Sequence, residues 1–160
     1  MLTNTIWALL SHRAQYEAVC ANPGLLTHAI EESLRWEAPV QSCTRYVTRP
    51  IVVQGVELAP GEMVQCMGGS ANRDPEHFTD PEAFDLGRTN AREHLSFATG
   101  KHFCLGAALA RLEGEVGLRI LFGRFPRLRP DPAWPSYPQG HEFRSPPRLE
   151  VRWDEQDAEV

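Results

Sequence analysis

The side chains best suited to chemistry in this 160-residue chain lie in one decapeptide, Phe97-Ala98-Thr99-Gly100-Lys101-His102-Phe103-Cys104-Leu105-Gly106. Cys104 follows a glycine-containing loop and stands at the mouth of the most periodic helical segment, read over Leu105 to Phe122. A helix N-terminus favours an anion and loop amides can donate to sulfur, so the position suits a thiolate. Such a thiolate can act as a nucleophile or as a soft metal ligand. A zinc set of His94, His102 and Cys104 is the competing metal reading. Structural zinc ligands normally come in closely spaced pairs, however, and a fourth ligand is not evident. A buried, inert cysteine is the plain alternative.

Three further landmarks precede this loop in order: Glu32-Ser33-Leu34-Arg35, Asn72-Arg73-Asp74-Pro75 and Phe84-Asp85-Leu86-Gly87-Arg88. Alone, Glu32 and Arg35 would be an ordinary helical i,i+3 ion pair. The decapeptide, however, resembles the haem-binding loop of the cytochrome P450 family, F-x-x-G-x-[RH]-x-C-x-G, at every specified position. Ala98 stands where many bacterial members carry Gly, at an unspecified position. The four landmarks together are similar to the carboxy-terminal half of that family, over roughly residues 3 to 153.

The resemblance implies a cofactor, haem b, with Cys104 as the axial ligand of its iron. Phe97, Gly100 and Gly106 would complete the haem loop, and Arg45, His94 and His102 would contact the haem propionates. Glu32, Arg35 and Arg88 would form a structural triad locking the long meander behind the haem. Val40 and Gln41 match positions that approach substrate. The activity implied is insertion of one oxygen atom from O₂ into a small organic substrate, with electrons from a ferredoxin- or flavin-type redox partner. Members of the family are more than twice as long, and the resemblance places Met1 where the threonine of the oxygen-activating helix should stand. The acid–alcohol pair is therefore expected outside this chain, no catalytic set is complete within it, and it is expected to be inactive alone. A non-enzymatic haem-binding or haem-sensing module and an inactive remnant are the alternatives.

The elements that must position these residues are legible in outline. Ile6, Leu9, Leu10, Tyr16 and Val19 predict one helix over Thr3 to Cys20, and Leu26, Ile30 and Leu34 predict a second from Leu25 to Trp36. Ile51–Val53, Gly55 and Val56–Leu58 predict a tight hairpin, followed by a strand over Met63 to Met67. Residues 68–103 show little periodicity, and an unstructured run of that length usually has a functional cause. In the last helix Leu105, Leu109, Leu112, Val116 and Ile120 form the apolar stripe expected to pack inward, with Arg111, Glu115 and Arg119 facing elsewhere. A strand at Leu149–Trp153 closes the chain. The expected fold is α+β, the proximal part of a mostly helical P450 domain. It comprises two N-terminal helices, a small β-sheet, the meander, the helix after the cysteine and a C-terminal β region. The domain is read as 1–153 and 154–160 as a frayed tail.

Composition narrows the remaining classes. The net charge of −5 arises in residues 51–100, which hold three basic and eight acidic groups. No basic excess exists for a phosphate backbone, so nucleic-acid binding is disfavoured. Cys20, Cys43, Cys66 and Cys104 are more than twenty residues apart, which argues for reduced thiols in a cytoplasmic chain rather than a disulfide framework. The apolar run Ile6–Leu10 is too short to span a bilayer, and no membrane partner is expected.

Overall fold

The computed structural model describes residues 1–154. Three α-helices open the chain: α1 (Leu2–Ser11), α2 (Arg13–Ala21) and α3 (Leu26–Trp36), the last entered through a 3₁₀ turn at Pro23–Leu25. The single helix expected over Thr3–Cys20 is thus two helices, parted at His12. No proline or glycine marks the break. His12 is drawn out of helical geometry by tertiary contacts, its ring lying 5.2 Å from that of Trp36 and 5.0 Å from that of Phe84. The expected inward stripe does hold across both pieces, with Leu9, Leu10, Tyr16 and Val19 buried.

Helix α3 is the central rod. Leu26, Ala29, Ile30 and Leu34 are buried in the core, and so are Glu31, Glu32 and Arg35. Charged residues this deep are tolerable only when paired and hydrogen-bonded. Around α3 the core gathers Leu9, Tyr16, Phe84, Leu118, Phe122 and Leu128.

The β structure is three separate two-stranded antiparallel sheets rather than one. Strand β1 (Cys43–Tyr46) pairs with β4 (Met63–Cys66), β2 (Ile51–Val53) with β3 (Val56–Leu58), and β5 (Arg129–Pro130) with β6 (Val151–Arg152). The β2–β3 turn places Gln54 and Gly55 at φ +51° and +81°, the left-handed pair that matches the twist of a two-residue hairpin. Asp154, the last described residue, is held by Arg127 (2.6 Å) and Arg129 (2.9 Å); the rest of the expected frayed tail lies outside the described residues.

Residues 68–103 carry only one helical turn, α4 (Gly68–Ala71), and 3₁₀ turns at Ala91–Glu93 and Gly100–His102. What orders them is the Glu32 carboxylate. Arg35 Nε and Nη2 donate to its two oxygens at 2.8 Å each, Arg88 Nε donates at 3.1 Å and the Asp85 amide at 3.0 Å. Arg35 also donates to the carbonyls of Asn72, Pro81 and Ala83 at 2.8–3.0 Å. Arg88 donates to the carbonyls of Thr79 (2.7 Å) and Asp80 (3.0 Å).

Helix α5 (Ala107–Arg124) contradicts the expected facing. Its buried residues are Ala107, Gly114, Leu118 and Phe122, whereas Leu105, Leu109, Leu112, Val116 and Ile120 are exposed, by 49% at Val116 and more at the others. The reason is close packing on α3 and α1. A Cβ at Gly114 would lie 2.7 Å from Met1 Cε and 3.2 Å from Ile30 Cδ1, so a larger residue there would oblige those side-chain ends to move.

Glu32→Ala and Arg35→Ala should each cost ~3–5 kcal/mol, because either strands a buried charge. Chemical denaturation of the purified variants measures this. An unchanged midpoint would remove the triad from its place in the fold.

Candidate functional site

The decapeptide closes on itself before α5 begins. The Cys104 amide donates to the Phe97 carbonyl at 2.9 Å, and the Ala107 amide donates to the Cys104 carbonyl at 3.2 Å. Ala98 and Gly100 both sit in the left-handed region, at φ +59° and +69°. Glycine meets that demand without strain, whereas at Ala98 the Cβ crowds the following carbonyl. Gly106 caps the start of α5, and a Cβ there would lie 3.9 Å from Cys104 Sγ. The loop therefore presents its thiol immediately ahead of an 18-residue helix.

This thiol borders a crevice of about 530 Å³. The other walls come from β1, β4, the start of α4 and the loop at Leu95–Thr99, and Val40, Arg45, Phe97 and His102 are among the lining residues. Val40 thus lies on the wall, whereas the Gln41 side chain turns away and donates to the Ala38 carbonyl at 2.6 Å. Arg45 donates to the Thr44 carbonyl (2.8 Å) and has no carboxylate partner among the described residues. A largely apolar slot with a thiol at one wall and an uncompensated guanidinium at another suits a flat, apolar ligand bearing acidic groups and a thiophilic metal. Haem b fits that description.

His94 does not belong to this wall. It is 7% exposed, and both ring nitrogens are engaged. Nδ1 accepts from the Ser96 amide (3.1 Å), which leaves Nε2 to donate to Glu31 Oε2 (3.2 Å). The expectation that His94 reaches a propionate does not fit this geometry, and His94, His102 and Cys104 do not converge as a metal set among the described residues.

The partner of His94 reveals a positioning cluster that periodicity had hidden. Arg111, expected to face elsewhere, donates from Nε to Glu31 Oε1 (2.6 Å) and from Nη2 to Oε2 (3.0 Å). Burial alone would push the Glu31 carboxyl up, but the hydrogen bonds from His94 and Arg111 outweigh it and bring it down to about 2. The Arg111 guanidinium also lies over the Phe97 ring, 4.6 Å from its centroid. Buried Asn72 ties the same loop to α3: its Oδ1 accepts from the Leu95 amide (2.6 Å) and its Nδ2 donates to Ser96 Oγ (2.8 Å). The sequence signal for Glu31 was its place beside Glu32, one acidic residue more than a single triad requires.

The family profile described as Cytochrome P450 matches residues 12–149. The chain belongs to the cytochrome P450 family. It is similar to the 6-deoxyerythronolide B hydroxylase of Saccharopolyspora erythraea, at 47% identity over 76% of this chain and 30% of that protein. It is 40% identical to the P450 monooxygenase PikC of Streptomyces venezuelae, over 96% of this chain and 37% of that one. The crystal structure of the Tepidiphilus thermophilus P450 heme domain superposes with a TM-score of 0.92 at 40% identity, covering 99% of this chain and 38% of that one. The α+β arrangement described above is therefore part of a P450 fold. This chain spans about a third of the length of these P450 relatives.

Two outcomes follow for the P450 loop and its support. Ala98→Gly should stabilise the chain by ~0.5–1 kcal/mol, the relief of a left-handed alanine less the entropy of glycine, as read by urea denaturation; a destabilised variant would refute the strain. Because folding lowers the Glu31 value below its ordinary 4.5, the stability this carboxylate contributes is complete above pH 4.5 and is lost as pH falls toward about 2. Glu31→Gln should flatten that segment of the stability–pH curve, and a variant curve parallel to the parent's would overturn the assignment.

Proposed function

We propose that this chain is the haem-holding part of a monooxygenase, with Cys104 as the thiolate ligand of the iron. The observation that carries this reading is a thiol set just ahead of a long helix, on the wall of a crevice that also presents an arginine without a carboxylate partner among the described residues. Arg45 and His102 would hold the two carboxylates of haem b. Phe97 would lie against the macrocycle, with Gly100 and Gly106 permitting the loop's close turn. Bound haem would supply activation of O₂ at its iron, and Cys104 would donate the thiolate. The chain's residues hold the sulfur in place, neutralise acidic groups and exclude water on one side.

The substrate is a small organic molecule approaching near Val40, and the electron donor is a ferredoxin- or flavin-type protein. A hydroxylase and a monooxygenase among the relatives support this reaction class. Turnover is assigned to the whole protein of which relatives are three times as long, and not to these residues alone. No helix among the described residues is long and apolar enough to cross a membrane, and a cytoplasmic setting agrees with four free thiols.

A protein completed to the length of these relatives, loaded with haem and reduced under carbon monoxide, should show the long-wavelength Soret band of thiolate ligation. Cys104→Ala should abolish that band, and Cys104→His should replace it with the shorter-wavelength band of imidazole ligation. A parent spectrum retained in Cys104→Ala would exclude Cys104 as the ligand.

A further inference from the structure

Strands β1 and β4 run antiparallel with Cys43 directly opposite Cys66. Opposed residues project from the same face of a sheet, so the two side chains are neighbours. Both thiols are free, both border the crevice, and neither serves the haem reading above. Cα atoms of directly opposed residues stand about 4.5 or 5.5 Å apart, according to the ladder position. Both spacings fall within the roughly 4.4–6.8 Å that disulfides span, so the register brings the two positions within bridging range. Cys20 is elsewhere, its Sγ 3.7 Å from the Pro126 carbonyl, and Cys104 stands on a different element with no such register to either strand.

We propose that Cys43 and Cys66 are a dithiol site that hydrogen peroxide converts into a disulfide across β1 and β4. Cys66 is the more exposed of the two and meets the oxidant first. Its thiolate attacks one peroxide oxygen, the O–O bond breaks, and the departing hydroxide takes up a proton as water, leaving a sulfenic acid on Cys66. The Cys43 thiolate then attacks that sulfur. The S–S bond forms as the S–O bond breaks, and the second hydroxide leaves as water. Two thiols lose two electrons and one peroxide gains them, giving two waters. The new rung closes the segment from residue 44 to 65, which contains Arg45 and the β2–β3 hairpin, onto a sheet of only two four-residue strands. A cross-link of this kind restricts the unfolded chain and pins the wall that carries Arg45. The site needs no haem, so it stands or falls separately from the function proposed above.

The test treats the 160-residue chain with hydrogen peroxide, natively and in denaturant, blocks residual thiols and maps disulfides by mass spectrometry without reduction. The native sample should yield a Cys43–Cys66 linked peptide, enriched several-fold over the denatured sample. The link should vanish in Cys43→Ser and in Cys66→Ser and persist in Cys104→Ser. Links to Cys104, links between molecules, or equal scrambling in native and denatured chains would overturn the proposal. So would oxidation of Cys66 to sulfinic acid with Cys43 remaining a free thiol that the label alkylates.

Discussion

A single buried carboxylate organises the part of this molecule that has no regular structure. Glu32 accepts from four donors, two on Arg35, one on Arg88 and the Asp85 amide, which fills the roughly four lone-pair sites of an ionised carboxylate. The two guanidiniums spend their remaining N–H groups on carbonyls of residues 72–83. No helix or strand ladder reaches the Asn72, Pro81 and Ala83 carbonyls that Arg35 takes up, and buried carbonyls left unpaired are costly. The ion cluster thus substitutes for a hydrogen-bond ladder. It explains how a segment of low periodicity stays ordered, and why the charges are buried although an apolar replacement of equal volume could be as stable.

The adjacent residue carries the same logic to the functional loop. Successive positions on a helix point about 100° apart, so Glu31 and Glu32 serve different neighbours. Glu32 faces the meander, while Glu31 takes Arg111 from α5 and His94 from the end of the meander. Arg111 then lies over Phe97, whose carbonyl receives the Cys104 amide. Two neighbouring acids on α3 therefore fix both ends of the stretch that leads to the thiol.

How much of this the sequence discloses depends on whether a signal is local. The cysteine loop is legible because glycine, cysteine and helix start fall within ten residues and each has its own chemical reason. The β2–β3 hairpin is legible for the same reason, its turn being decided by Gly55 and its neighbour. His12 breaks a helix through rings 24 and 72 residues away in sequence, at Trp36 and Phe84, and no local propensity reports that. His94 was misplaced because a histidine near a haem loop serves equally well as a second support, and only the contact with Glu31 decides. Helix α5 misled because it is apolar on more than one side. The bulky stripe at Leu109, Leu112, Val116 and Ile120 outweighs in any hydrophobicity count the small buried residues Ala107 and Gly114, of which Gly114 meets Ile30 of α3.

That reversal bears on how the site is built. On the inner side of α5 a small-residue contact and a bidentate Arg111–Glu31 pair hold the helix against α3 at a fixed height. Cys104 lies just ahead of α5, its carbonyl accepting from the Ala107 amide, so fixing the helix restrains the sulfur. The groups that would meet a ligand, the thiol, Arg45 and His102, stand on the open side and make few bonds within the chain. A site needs rigid support behind it and unsatisfied chemistry in front, because a side chain already paired internally must break that pairing to bind. His94 illustrates the cost of the alternative: with both ring nitrogens committed it steadies the loop and has nothing left to offer a ligand. The division of labour follows from satisfaction of hydrogen bonds rather than from distance to the cysteine, since His94 is nearer in sequence to the loop than Arg45 and yet belongs to its support.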